Sequence, residues 1–107
     1  MRIAAYAALV LFGLPVMAAQ ADDPPVLDSL SSSLIGGNWW LITGAVTDED
    51  VGSCTIEFGG AIAGQSTSVT SGGTFSYVVN LPSGGLISAV AVDAALQESN
   101  ERETLAF

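Results

Sequence analysis

Apolar and polar side chains alternate with a period of two along most of this chain, and Gly-rich turns break the alternation at nearly even intervals. Around Asn38 to Gly60 (NWWLITGAVTDEDVGSCTIEFGG) the pattern predicts two strands joined by an acidic loop. In the first, Trp40, Ile42, Gly44 and Val46 share one face and Trp39, Leu41, Thr43 and Ala45 the other. Aromatic and β-branched residues favour a pleated strand there over a helix. In the second, Cys54, Ile56 and Phe58 fall on one side and Thr55 and Glu57 on the other, the signature of one packed and one wet face. Thr74 to Leu81 alternates equally well and nominates Phe75, Tyr77 and Val79 for the core. Leu86 to Val92 is apolar on both faces and predicts a central strand covered from both sides.

Weaker strands complete the set. Val26 to Leu34 is Ser-rich and suits a sheet edge, Gln65 to Thr70 is short and polar, and about Glu103 to Phe107 closes the chain. The turns between them are Gly36-Gly37-Asn38, Ser71-Gly72-Gly73 and Pro82-Ser83-Gly84-Gly85. Short strands at this spacing, with no helical periodicity, predict a single all-β domain of about seven strands, an antiparallel Greek-key β-sandwich of immunoglobulin-like type. A small barrel is the alternative.

Residues 1–21 are set apart. Met1-Arg2, the apolar run Ile3 to Leu14, then Pro15 and small residues have the layout of a secretory signal peptide, too short to span a bilayer. Cleavage is expected after Ala21, with Val16-Met17-Ala18 as the other candidate site and a buried N-terminal helix as the competing reading. The reading implies an exported protein, periplasmic, cell-surface or extracellular, that meets the membrane only during export. The sandwich domain is then 22–107.

Charge narrows the function classes. The 11 acidic residues all follow Ala21 and Arg102 is the only cation beyond it, so nucleic acid is excluded as a partner. With no His and no Lys, Ser-His-Asp, Cys-His and Schiff-base chemistry are excluded as well, and the acids sit in loops rather than as a cleft pair, so a non-enzyme is expected. Gly59 to Ser66 (GGAIAGQS) imitates a phosphate loop, but Gln65 stands where the Lys belongs. Cys54 is the only cysteine, so no intrachain disulfide forms, and its place beside Ile56 and Phe58 predicts a buried free thiol.

Four segments, W-x-I-x-G-x-V-x-D at Trp40 to Asp48, TIEFGG, Gly73-Thr74-Phe75-Ser76 and AVAVDAALQESN, together resemble the bacterial immunoglobulin-like and cadherin-like domains of exported and cell-surface proteins. Relative to that pattern, Gly72 precedes Gly73 where an Asp is usual, and Leu96-Gln97-Glu98 stands at the usual Gly-Asn turn. The resemblance implies a module for cell-surface or extracellular interaction with a protein or a surface polysaccharide.

Counting strand directions puts Asp48, Glu49, Asp50, Asp93, Glu98 and the leader acids Asp22 and Asp23 at one pole. Hard oxygen donors without His or Cys suit Ca²⁺, and in the cadherin-like relatives such acids bind it at domain ends. Asp48, Glu49, Asp50 and Asp93 are therefore the candidate Ca²⁺ ligands, for a structural or adhesive role. The competing reading is a solvated acidic loop, since D-E-D lacks the ligand spacing of a defined calcium loop.

Overall fold

A computed structural model describes residues 23–107. The expected signal segment, its cleavage site and Asp22 lie outside the described residues. Seven strands follow: β1 (Val26–Gly36), β2 (Trp39–Thr47), β3 (Thr55–Gly60), β4 (Ser66–Ser68), β5 (Thr74–Asn80), β6 (Gly85–Val92) and β7 (Arg102–Ala106). A single 3-10 turn, Val51–Ser53, precedes β3. They form two antiparallel sheets, β1-β2-β5 and β4-β3-β6-β7, packed as a β-sandwich.

The alternation in β2, β3 and β5 does what it predicts. Ile42 and Val46 from β2, Ile56 and Phe58 from β3, and Phe75 and Val79 from β5 are buried between the sheets, while Tyr77 is half-buried against them. Phe58 bridges the two layers, edge-on to Phe75 with centroids 6.5 Å apart and tilted on Tyr77 at 5.2 Å, distances at which aromatic pairs attract beyond their buried area.

β6 departs from expectation. It is central in its sheet, but its outer face is covered only at the end: Ile87, Ala89 and Ala91 are buried on the inner face, whereas on the outer face Leu86 is exposed, Ser88 and Val90 are half-buried and only Val92, beside its bridge to Glu98, is buried. The apolar look of both faces arises because the inner face uses alanines opposite large partners, Ala89 against Phe58 and Ala91 against Ile56, so that side-chain volumes alternate across the ladder.

β1 takes the expected edge position but extends to Gly36. β4 is shorter than expected because Val69 turns into the core, with its amide donating to Cys54 O at 3.2 Å. β5 stops one residue before Leu81, and β7 begins and ends one residue earlier than its pattern suggests.

Side chains close the gap between β1 and β7. The Asn100 amide accepts from Leu27 N at 2.9 Å and donates to Leu27 O at 3.1 Å, so one side chain satisfies both backbone groups as a neighbouring strand would. Arg102 Nε donates to the same carbonyl at 2.8 Å. Farther along, Ser32 Oγ lies 3.2 Å from Thr104 Oγ1 and donates to Leu105 O.

The two ends of the sandwich differ chemically. The ends of β2 and β6 and the starts of β1, β3, β5 and β7 meet at one pole. The β1–β2 and β5–β6 turns, the start of β6 and the end of β7 meet at the other. Residues 29–47, 58–92 and 104–107 contain no charged side chain, so among the described residues the second pole carries none.

Candidate cation-binding pole

At the charged pole, β2 gives way to Asp48-Glu49-Asp50 because three adjacent acids cannot be buried in a ladder. Asp48 shapes the turn: its Oδ2 accepts from Asp50 N at 3.1 Å. Asp50 faces the other way. Its carbonyl accepts from Ser53 N at 3.1 Å and from Ser53 Oγ at 2.9 Å, and its Oδ2 accepts from the same hydroxyl at 2.9 Å, which fixes the 3-10 turn.

Asp93 ends β6 and organises the next loop around itself. Its Oδ1 accepts from Ala95 N at 3.0 Å and Gln97 N at 2.8 Å, its carbonyl accepts from Leu96 N, and its amide donates to Gln97 O. This closed ring of bonds holds Asp93 at 5% exposure and drives Leu96 to φ +65°, a left-handed conformation that a side chain with a Cβ rarely adopts.

The two loops bring Asp48, Glu49 and Asp93 together, with one carboxylate oxygen from each lying within 4.8 Å of the other two. Asp93 Oδ2 is buried and accepts no hydrogen bond, and Asp48 Oδ1 is buried with only the thiol of Cys54 to meet its carboxylate. A buried carboxylate oxygen without a partner costs stability unless something positive meets it. Asp50 is outside the group, as are Glu98, which lies in the isolated bridge to Val92, and Asp23 in the exposed leader.

The field of these acids reaches the core. Cys54, buried just beneath them, has its thiol pushed up to about 11, first by burial and then by the charges of Asp48 and Asp93. Sequence reasoning placed Cys54 on the core face but missed its position under the acids. Five residues separate it from Asp48, and only the intervening turn brings the two together.

Three carboxylates converging from two loops offer hard oxygen donors in a number that Ca²⁺ can complete with backbone carbonyls and water, since it takes six to eight oxygens. A thiol raised in this way stays protonated at neutral pH, the less nucleophilic of its two forms. The fold and the site thus define an antiparallel β-sandwich with an acidic, carboxylate-lined end. Comparison with family models, with curated proteins and with solved structures finds no match.

Proposed function

We propose that this chain is an exported, non-enzymatic immunoglobulin-like module that works by binding a protein or surface polysaccharide at the cell surface or outside the cell. The strand order carries this reading. The chain crosses between sheets from β2 to β3, from β4 to β5 and again from β5 to β6, and sheets ordered β1-β2-β5 and β4-β3-β6-β7 are compatible with a Greek-key sandwich, which supports the fold part of this reading. Export is tested by mass spectrometry of the chain recovered from cell fractions. A product beginning at Asp22 outside the cytoplasm is expected, and a full-length chain confined to the cytoplasm overturns the reading.

A second reading, a Ca²⁺-binding structural or adhesive role, is favoured by one observation: the buried, unpartnered Oδ2 of Asp93 within the three-carboxylate group. Calorimetric titration with Ca²⁺ is expected to give a single saturable site, with Mg²⁺ binding more weakly because it sheds its water reluctantly. Absence of heat and of competition at millimolar Ca²⁺ removes the metal and leaves the first reading intact.

A further inference from the structure

The pole without charged side chains carries a belt of exposed apolar residues. Trp39 on β2 and Val78 on β5 project from the outer face of one sheet, Leu86 on β6 and Leu105 on β7 from the outer face of the other, each about half exposed. Between them, where β1 runs beside β7, Leu34 and Ile35 are 57% and 53% exposed and Phe107 is 80% exposed. Five strands in spatial succession, β5, β2, β1, β7 and β6, therefore each present an apolar side chain near the same end. Scattered apolar residues are ordinary on a protein surface, but a continuous band is not.

We propose that this belt seats the uncharged pole in the headgroup region of a lipid bilayer, with the acidic pole facing away. Three observations select a lipid surface over a second copy or another protein. The apolar residues lie on both outer faces of the sandwich as well as along its β1–β7 side, so a flat partner covers one part and leaves the rest wet, whereas a fluid surrounds the end on all sides. Among the described residues the pole has no charged side chain to desolvate, and nine-residue β2 holds the three-carboxylate group about 30 Å from it. The turns that enter first close their own hydrogen bonds: Leu81 N to Asn38 O at 2.8 Å, Gly84 N to Leu81 O at 3.1 Å and Ala61 N to Leu86 O at 2.8 Å. Few bare backbone groups thus enter the low-dielectric zone. Trp39 is the interfacial residue of the set, an apolar ring with one polar N–H. With no basic patch to add attraction, the contact is shallow, reversible and independent of lipid charge.

The test uses Trp40→Phe, which leaves Trp39 as the only tryptophan, and phosphatidylcholine vesicles containing brominated acyl chains. Blue-shifted and quenched Trp39 emission is expected, with vesicle co-sedimentation unchanged between low and high salt. Adding Leu105→Ser and Phe107→Ser should weaken binding about tenfold or more, as expected for two apolar side chains no longer buried. Val78→Ser, on the opposite outer face, should weaken it separately. These variants share every residue before β1 with the parent, so the differences report the belt and not the apolar N-terminal run, and their melting curves verify that each is folded. Unquenched Trp39, binding that requires anionic lipid, indifference to Val78→Ser, or a lipid-free dimer that buries Trp39 would each overturn the proposal.

Discussion

The ring of Phe75 lies directly over the α-carbon of Gly44, its cross-strand partner between β5 and β2: a Cβ at Gly44 would sit 2.3 Å from Phe75 Cζ and 2.4 Å from Ser29 O. A side chain at residue 44 and an aromatic ring at residue 75 exclude each other. Gly44→Ala should destabilise the domain by about 2 kcal/mol or more through overpacking. Phe75→Ala should cost about 3 kcal/mol or more, because a small domain has little core to spare. In chemical denaturation, the double variant should be less destabilised than the sum of the two, since removing the Phe75 ring frees the space a Cβ at residue 44 would claim and leaves only the contact with Ser29 O. Strict additivity would mean that the two sites do not share this space.

Leu96 is strained and nearly fully solvated, at φ +65° and 81% exposure. Leu96→Gly should therefore stabilise the domain by about 0.5–1 kcal/mol, relief of the left-handed backbone outweighing the added freedom of the unfolded chain. A lowered midpoint would mean that the Leu96 side chain makes a contact worth more than the strain.

Cys54 should stay protonated well into alkaline solution. Because its thiol is raised from 9.0 to about 11 in the folded state, a thiol reagent at pH 8 should modify the native protein about 100-fold more slowly than the denatured chain. The sign for stability follows from the raised folded value. The contribution is complete below pH 9 and is lost as pH rises to about 11, because the unfolded state gives up its proton first. Cys54→Ala should flatten that alkaline decline.

The acidic pole separates its members by substitution. Asp93→Asn keeps an oxygen for the amides of Ala95 and Gln97 but removes the negative charge and the unpartnered oxygen, so any Ca²⁺-dependent rise in melting temperature should vanish. That rise corresponds to about 1.4 kcal/mol at ten times the dissociation constant. Asp50→Asn should preserve the Ca²⁺ response, since Asp50 bonds Ser53 and lies outside the group. The reverse ranking of the two variants would relocate the site.

Asn100→Ala should cost about 1–2 kcal/mol, because it strips a donor and an acceptor from Leu27 at once. Hydrogen exchange should show the Leu27 amide losing protection first.

Periodicity made the sandwich legible wherever one face is wet and the other buried, as at Cys54-Ile56-Phe58 and Phe75-Val79. It misled at β6, where Ala89 and Ala91 are inside because of the bulk opposite them, a fact of pairing rather than of pattern. The convergence of Asp48 and Asp93 was readable from strand direction alone. The separation of Asp50 from them was not, since a local hydroxyl, Ser53, decides which way that carboxylate turns. Nor does any sequence signal announce that the Asn100 amide substitutes for a strand, because it bonds a residue 73 positions away.

That substitution bears on how the domain carries load. β1 starts at the acidic pole and β7 ends at the opposite one, so tension on residues flanking the two strands pulls along the long axis of the sandwich. The β1–β7 seam, joined by Asn100, Arg102 and Ser32 rather than by a backbone ladder, is then sheared with all its bonds stretched together instead of peeled one by one. Its mechanical strength rests on three side chains, and exchanging them would tune resistance to pulling while leaving both hydrophobic layers untouched.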